Sequence, residues 1–377
     1  MKKLLFYCQH VLGIGHLIRS LEIARALTGF EVTLLNGGGR FEGLEFPENL
    51  RVIDLPSISS NAEFSELKAE DSRDVTEALF AKRREIILRG AFELKPDVIL
   101  VELFPFGRLK FADEILALLE KGTELGARAV CSVRDILVTK SQQDVFEKQA
   151  CEICNRYLTA VLVHSDPHFH SFEETFPSAP EVKVPVLHTG FISSGRPRTG
   201  GPREKLIVVS IGGGRVGGEL LTSAAEAFKS LDAGLSMVLV TGPYFGEQEF
   251  AQLHRLKSDR LAVERFIPDF EGLLAKAALS ISLAGYNTCM NLLNTGTPAL
   301  LLPFAGHGNQ EQTIRASKLR KAGIAGTLEA ADLEPARFAA RIEEALDMPR
   351  KPNPFDLAGA AKTNELLLKI ASGGFDA

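Results

Sequence analysis

The sequence KLLFYCQHVLGIGHLIRSLEIARALTGFEVTLLN, residues 3–36, has the pattern of a strand, a glycine loop, a helix and a second strand. Residues 3–8 and 30–36 are mostly apolar, and residues 17–28 place apolar side chains at helical spacing. Units of this kind build parallel sheets that are covered by helices. The opening of the chain therefore predicts an α/β domain with a parallel sheet.

The same pattern continues along the chain. Further strands are predicted at residues 95–103, 127–137, 160–166, 205–211, 236–241, 261–267, 279–284 and 297–304, with helices between them. Continuous apolar strands are typical of parallel sheets buried on both faces. A charged helix is predicted from about Glu63 to Glu93. Its basic run Lys82–Arg84 is interpreted as a solvated face, with contact to an anionic membrane as the alternative.

The length of the chain predicts two domains. At roughly 150 residues per domain, 377 residues correspond to about two. The segment FISSGRPRTGGPR is rich in Gly, Ser, Pro and Arg, which is typical of a linker. We place an N-terminal domain at 1–192, a linker at 193–204 and a C-terminal domain at 205–377. The sequence does not decide whether the last helix, near 362–371, returns to the first domain.

Composition excludes several classes of protein. The 43 basic and 48 acidic residues give a net charge of −5, which disfavours nucleic-acid binding. The longest apolar runs fall far short of the roughly 20 residues of a membrane-spanning helix. The N-terminus lacks the apolar region of a signal peptide, so we expect a cytoplasmic protein. Five cysteines argue against a disulfide framework, and packed thiols are the favoured interpretation of Cys151 and Cys154.

Three glycine clusters lie between a predicted strand and a predicted helix. They are Gly13 and Gly15 with His16 and Arg19, Gly212, Gly213 and Gly214 with Arg215, and Gly285 with Thr288. Ligands of open parallel sheets bind beyond the carboxyl ends of the strands, where glycine and a helix N-terminus favour phosphate. No cluster has a P-loop pattern, and Ile18 replaces the third glycine of the dinucleotide fingerprint. The clusters predict a pyrophosphate held between two domains.

His16 is the candidate general base. It stands at a predicted helix start, where the helix dipole disfavours the imidazolium form, and a neutral imidazole can accept a proton near pH 7. The alternative is a histidine that caps the turn by hydrogen bonding. Arg134 and Asp135 end a strand at the same edge, where they either position an acceptor or form a structural ion pair. Metal binding by His164, His168 and His170 is the weaker interpretation of that segment.

Several motifs carry a resemblance to a known family. They are GIGHLIR at 13–19, SVRDIL at 132–137, and the block 266–304 that continues through 307–323. In motif order over nearly its whole length, the chain resembles the GT-B glycosyltransferases of family 28, in the MurG-like group. The resemblance implies two doubly wound, Rossmann-like domains that face each other across a cleft. It implies transfer of a hexose or N-acetylhexosamine from a nucleotide-diphosphate sugar, UDP foremost, without a cofactor. We expect the transfer to be inverting and, because no DxD motif follows a strand, independent of a metal.

The resemblance also assigns site residues. It places His16 as the base and Gly13, Gly15 and Arg19 on the acceptor side. On the donor side it places Gly212, Gly213 and Gly214 at the diphosphate with Arg215 beside them, Phe266 and Ile267 at the base, Gly285 and Thr288 at the α-phosphate, and Glu311 and Gln312 at the sugar hydroxyls. Two positions depart from the family pattern. Asn291 stands where a ribose-binding Glu is usual, and Arg315 replaces an Asn, either to bind an anionic group or to pair with Glu311.

Alternative functions remain at this stage. A nucleotide-sugar hydrolase would use water as the nucleophile, and a non-catalytic sensor would bind the nucleotide sugar without turnover. A sugar-nucleotide epimerase is a weaker option. For a transferase, the acceptor is unknown, and a lipid-linked acceptor and a glycan are both compatible with the sequence. The former would bring the protein into peripheral contact with a membrane.

Overall fold

The structure is a computed structural model that describes residues 1–11, 14–40, 44–60, 67–69, 74–140, 142–193, 202–304, 306, 310–349 and 351–374. The chain divides into two compact units. The first contains Met1–Arg40, Glu45–Gly195 and Phe355–Ala377, and the second contains Arg196–Pro354. Most of the predicted linker, 193–204, lies outside the described residues.

The first unit is built on a parallel sheet. Its strands are β1 (Lys2–Cys8), β2 (Phe30–Asn36), β3 (Leu50–Asp54), β4 (Ile58–Ser60), β5 (Leu67–Ala69), β6 (Val98–Glu102), β7 (Arg128–Arg134), β8 (Ala160–His164) and β9 (Val186–His188), and its helices include α1 (Gly15–Ala26), α2 (Glu77–Leu94), α3 (Ala112–Glu124) and α4 (Gln143–Tyr157). Seven strands pair in parallel in the order β3-β2-β1-β6-β7-β8-β9, while β4 pairs antiparallel with β5. The strand order changes direction between β1 and β6, which is the switch point where such sheets bind ligands.

The second unit repeats this architecture. Its elements are β10 (Glu204–Ser210), α5 (Gly218–Phe228), β11 (Ser236–Val240), α6 (Glu247–His254), β12 (Leu261–Glu264), α7 (Phe270–Lys276), β13 (Ala277–Leu283), α8 (Tyr286–Thr295), β14 (Ala299–Leu302), α9 (Glu311–Lys321), β15 (Ala325–Thr327) and α10 (Pro335–Leu346). The strands pair in parallel in the order β12-β11-β10-β13-β14-β15, so the switch point lies between β10 and β13. The predicted pair of parallel-sheet α/β domains is confirmed.

The last helix, α11 (Gly359–Ala371), belongs to the first unit. It packs against α1. The Asn364 amide donates a hydrogen bond to Thr28 Oγ1 at 3.0 Å. Leu367 and Ile370 of α11 are buried. The chain therefore returns to its first unit after completing the second, which the sequence had left undecided.

The helix predicted from Glu63 to Glu93 was wrong over its first part. Residues 67–69 form strand β5, and α2 begins only at Glu77. Thr76 defines that start, because its side-chain oxygen accepts a hydrogen bond from the backbone N–H of Leu79. The charge pattern of the segment does not distinguish a short charged strand from a helix.

The interpretation of Lys82–Arg84 as a solvated face was wrong for its central residue. Lys82 and Arg84 are exposed, but the Arg83 side chain is completely buried. Its Nε and Nη2 donate to the two carboxylate oxygens of Glu114 on α3 at 2.9 and 2.6 Å, and Nη1 donates to the Pro56 carbonyl at 2.6 Å. Tyr7 donates to the same carboxylate at 2.5 Å. The ion pair thus joins α2, α3 and β1 inside the first core.

Two further expectations concern cysteines and membranes. Cys151 and Cys154 are both buried on α4 as free thiols, which confirms that they are packed side chains. Burial raises the pKa of the Cys151 thiol to about 11, so the reactive thiolate is scarce. Over the described ranges, no helix combines the length and apolar character needed to cross a membrane.

Replacing Arg83 should destabilise the protein strongly. In Arg83→Met the buried Glu114 loses its cationic partner, and breaking such a pair typically costs about 3–5 kcal/mol. Arg84→Met is the matched control, because this neighbour is exposed and its loss should change stability by less than about 0.5 kcal/mol. Urea unfolding followed by far-ultraviolet circular dichroism measures both. Equal effects of the two substitutions would contradict the structural role of Arg83.

Candidate active site

The predicted site residues are carried by loops that follow parallel strands. All carboxyl ends of a parallel sheet lie along one edge. In the first unit, the loops after β1, β6 and β7 share this edge, and in the second unit so do those after β10, β12, β13 and β14. Each unit therefore brings residues that are distant in sequence to a single edge that includes its switch point.

In the first unit, His16 pairs with a buried carboxylate. It lies in the first turn of α1, and its Nδ1 is 2.6 Å from Oε1 of Glu102, the last residue of β6. The His16 side chain is 20% exposed, whereas that of Glu102 is completely buried. The N-cap residue Ile14 makes no side-chain capping bond. The His16 ring is therefore oriented toward Glu102.

Two arginines complete the surroundings of Glu102. Arg19, one turn after His16 on α1, donates through Nη2 to Glu102 Oε1 and lies 3.5 Å from His16 Nδ1. Arg108, in the loop after β6, places Nη2 3.7 Å from Glu102 Oε2. Sequence reasoning missed both Glu102 and Arg108. A charged residue at the carboxyl end of the buried strand 98–102 was the available signal for Glu102.

The protonation states follow from these contacts. The pKa of His16 is lowered to about 3, mainly by burial and also by the positive charges of Arg108 and Arg19. Together these effects exceed the attraction of Glu102, which raises the pKa. Burial would raise the pKa of Glu102, but His16, Arg19 and Arg108 hold it below the usual range. At neutral pH the carboxylate is therefore ionised and the imidazole neutral. The tautomer that donates from Nδ1 to Glu102 leaves Nε2 as a proton acceptor.

Other residues predicted in the first unit have different surroundings. Gly15 begins α1, whereas Gly13 lies outside the described residues. Arg134 is the half-buried last residue of β7, and the adjacent Asp135 is completely buried. Both remain acceptor-side candidates because they lie at the same sheet edge as His16.

The histidines of residues 164–170 contact neighbouring hydroxyl groups. His164 is fully buried, with Nε2 2.7 Å from Ser132 Oγ and Nδ1 2.9 Å from Thr189 Oγ1. His170 Nε2 lies 3.0 Å from Thr175 Oγ1. Within the described part of the chain, no three His, Cys, Asp or Glu side chains are grouped in a way that could hold a metal ion. These histidines connect strands and loops of the first unit.

In the second unit, the loop Gly212–Gly214 follows β10. Gly212 and Gly214 have φ angles of +68° and +91°, in the region that favours glycine. A Cβ on Gly214 would lie 2.5 Å from the Thr241 carbonyl oxygen, whereas a Cβ on Gly212 would meet no atom within 4 Å. Glycine at 214 thus lets the loop pack against the segment after β11. The space beside Gly212 stays open.

Arg215 and Tyr244 border this loop. The Gly213 carbonyl accepts a hydrogen bond from the Tyr244 N–H at 3.0 Å, and the Arg215 guanidinium lies 4.7 Å from the centre of the Tyr244 ring. The cation–π contact fixes a positive charge beside the glycine loop.

Two helices begin at this edge without side-chain caps. Gly217 is the N-cap of α5 and Gly285 that of α8, and neither helix has a side-chain capping bond. The first turn of α8 contains no acidic residue but includes Thr288, which is half-buried. A Cβ on Gly285 would meet nothing within 4 Å. The N–H groups of the first turn and the helix dipole make helix starts favourable for phosphate.

The remaining donor-side residues lie in or beside the same loops. Phe266 and Ile267 follow β12 and are half-buried, as is Asn291 within α8. Gln312 accepts a hydrogen bond from the Phe304 N–H at 3.1 Å. Glu311 begins α9 and is 5% exposed. The structure thus places these residues on the connections after β12, β13 and β14.

Arg315 pairs with Glu311. Its Nη2 donates to Glu311 Oε1 at 2.7 Å, and its Nη1 donates to the Ala284 carbonyl at 2.8 Å. The Arg315 side chain is completely buried. Of the two interpretations made from the sequence, the structure therefore shows the ion pair, which lies within α9, while the hydrogen bond to Ala284 joins α9 to the loop before α8.

The families and proteins to which the chain is similar are glycosyltransferases. Residues 208–368 match the glycosyltransferase family 28 C-terminal domain. A UDP-N-acetylglucosamine–N-acetylmuramyl-(pentapeptide) pyrophosphoryl-undecaprenol N-acetylglucosamine transferase from Methylorubrum populi is 30% identical over 172 residues, 45% of each chain. Its counterpart from Rhodopseudomonas palustris strain HaA2 is 32% identical over 155 residues, 40% of this chain and 41% of that one. The match thus spans less than half the length of these relatives.

Solved structures resemble the chain over almost its full length. Phytolacca americana UGT2, complexed with UDP-2fluoro-glucose and pterostilbene, has a TM-score of 0.63 and 15% identity, and the match covers 100% of both chains. Acinetobacter baumannii MurG has a TM-score of 0.56 and 17% identity, with 100% of this chain and 99% of that one covered. At these identities the likeness shows a shared fold.

His16 should remain neutral far below the usual histidine pKa. Because burial lowers its pKa to about 3, its ring should not become protonated between pH 8 and pH 4. The His16 Cε1–H signal in a ¹³C-histidine-labelled sample, assigned with His16→Ala, reports this directly. Free imidazole in the same tube is the reference. A His16 transition near the ordinary value of about 6.5 would contradict the proposed electrostatics.

Proposed function

We propose that the chain is a MurG-like GT-B glycosyltransferase, and specifically an inverting, metal-independent hexosyltransferase or N-acetylhexosaminyltransferase, which the match of residues 208–368 to the family 28 C-terminal domain supports. Its donor is a nucleotide-diphosphate sugar, UDP foremost, and its acceptor is a hydroxyl compound. The observation that carries the proposal is the His16–Glu102 pair at the switch point of the first sheet. The glycine loop and uncapped helix starts of the second unit support the donor class.

His16 is proposed to act as the general base. Its Nε2 removes the proton of the acceptor hydroxyl while that oxygen attacks the anomeric carbon of the donor sugar. One carbon–oxygen bond forms as the bond to the diphosphate breaks, so a single displacement inverts the configuration. Glu102 holds the ring by Nδ1 and stabilises the imidazolium that forms, because its carboxylate is already ionised.

The leaving diphosphate takes the electron pair of the broken bond. We assign its stabilisation to the backbone of Gly212–Gly214, to the N-termini of α5 and α8, and to Arg215. These groups supply N–H donors, helix dipoles and one fixed positive charge, which favour a developing anion. This set of donors supports a mechanism in which the protein itself stabilises the diphosphate.

The rest of the donor is assigned to the connections after β12, β13 and β14. Phe266 and Ile267 offer apolar surface to the base, and Glu311 and Gln312 offer acceptors to the sugar hydroxyls. The names of the curated relatives specify UDP-N-acetylglucosamine as their donor, which supports UDP. Asn291 would bind the ribose hydroxyls through a neutral amide.

The acceptor is proposed to be lipid-linked or a glycan. The names of the curated relatives specify a pyrophosphoryl-undecaprenol acceptor for those enzymes, and this supports the lipid-linked option. A lipid-linked acceptor would require peripheral contact of the protein with a membrane.

Nucleotide release from UDP-, GDP- and dTDP-sugars, with and without host lysate as acceptor source, tests the proposal. We expect release from a UDP-sugar only with lysate. His16→Ala and Glu102→Gln should each reduce this release by about 10²–10⁴-fold, because the base is lost or loses its orientation. Nucleotide affinity measured by calorimetry should stay within a few fold.

Each other outcome has a definite meaning. Rapid release without lysate would replace the transferase by a hydrolase, and binding without turnover would indicate a sensor. If His16→Ala lowers nucleotide affinity as much as turnover, the residue is structural and not the base.

Glu311→Gln should separate the sugar from the nucleotide. The amide keeps an oxygen for Arg315 but lacks the charge that a sugar hydroxyl would use. Loss of a charge-assisted hydrogen bond costs roughly 1.5–3 kcal/mol, so affinity for the UDP-sugar should fall while affinity for UDP should not. Calorimetric titration of both ligands against wild type and variant measures the difference. Parallel losses for the two ligands would remove Glu311 from the sugar site.

A further inference from the structure

Positive charge is concentrated at the carboxyl edge of the first sheet. Arg108 follows β6, Arg134 ends the adjacent strand β7, and Lys140 follows in the next loop. Burial lowers the pKa of Lys140, and the positive charges of Arg134 and Arg108 lower it further. Glu102 and the buried Asp135 are the carboxylates of these same strand ends.

Arg108 has hydrogen-bonding capacity that the protein does not use. Its side chain is only 8% exposed, yet its Nε and Nη2 have no hydrogen-bond partner in the described structure. The distance of 3.7 Å from Nη2 to Glu102 Oε2 is too long for a hydrogen bond. Buried donors without partners are costly, so a native structure that retains them calls for an explanation.

The two unused donors have a defined geometry. The N–H groups of Nε and Nη2 project from the same side of the planar guanidinium, as a fork that matches two oxygens of a carboxylate or phosphate. Glu102 does not fill this fork, because its Oε1 receives His16 and Arg19 and its Oε2, which also lacks a hydrogen bond, lies 3.7 Å from Nη2. Arg108 also has a backbone φ of +62°, a conformation that few residues other than glycine adopt.

We propose that Arg108 binds an oxyanion of the acceptor, a phosphate or a carboxylate, and that the acceptor is therefore an anionic hydroxyl compound. The proposal rests on the proposed function, because it takes His16 as the base that meets this acceptor. Arg134 and Lys140 add positive charge around the oxyanion. The positive charge near Glu102 exceeds what this carboxylate balances, and a bound oxyanion would balance the excess.

The test measures anion binding beside His16 without turnover. The full-length chain, saturated with UDP, is titrated at constant ionic strength with inorganic phosphate, acetate or chloride, and the His16 Cε1–H signal is followed by NMR. Phosphate or acetate should shift this signal saturably and chloride should not. The more effective anion identifies the group that the acceptor carries.

Three substitutions make the test specific. Arg108→Gln should weaken the effective anion by at least about tenfold, since a charge-assisted fork is lost. Arg108→Lys keeps the charge without the fork and should give a smaller loss, which controls for damage to the buried site. Arg89→Gln is the matched control, because that arginine is 58% exposed on α2 and should bind the anion like wild type.

The outcomes separate the two proposals. If His16 responds to no anion, or Arg108→Gln responds like Arg89→Gln, the oxyanion site is overturned even where UDP binds and turnover is seen. If the anion binds as expected but calorimetry shows no binding of UDP, the donor assignment fails while the oxyanion site stands.

Discussion

The buried charge of Glu102 is the constraint on which the candidate active-site edge of the first unit depends. A carboxylate without access to water must be paired and hydrogen-bonded, or it would take up a proton. The chain meets this requirement from α1, where His16 and Arg19 are three residues apart and so lie on one face of the helix. Glu102 in turn determines which nitrogen of His16 carries the proton. One charge therefore fixes both the position of α1 and the chemical state of the candidate base.

The parallel topology places this charge where it can be used. Because β1 and β6 are adjacent and parallel, the loop that begins α1 and the end of β6 meet at the switch point. In the second unit, the adjacent parallel strands β10 and β13 likewise bring the loops with Gly212 and Gly285 to the switch point of their sheet. Each unit thus uses the same position, but the first provides a titratable pair and the second provides glycines and helix starts. A base and an anion site require these different environments.

Local patterns predicted much of this arrangement, and long-range partners were not predictable. Strand and helix periodicity gave both parallel sheets, and the turn after β1 identified His16. Glu102 lies 86 residues beyond His16, and no spacing rule links the two. Arg83 was taken for a solvated residue because basic runs usually lie on surfaces, whereas its partner Glu114 lies on another helix. Which charge is buried depends on tertiary contacts that a single sequence does not display.

The buried ion pairs differ in how completely they are satisfied. Arg83 and Glu114 have all their charged atoms engaged, so this pair acts as a closed structural link, and Arg315 is held by Glu311 and the Ala284 carbonyl. Around Glu102, by contrast, Oε2 and two nitrogens of Arg108 are buried without hydrogen bonds. A stabilising pair gains nothing from unused donors and acceptors, because each carries a desolvation cost. Their retention beside the partly exposed His16 distinguishes this cluster from the fully bonded Arg83–Glu114 pair.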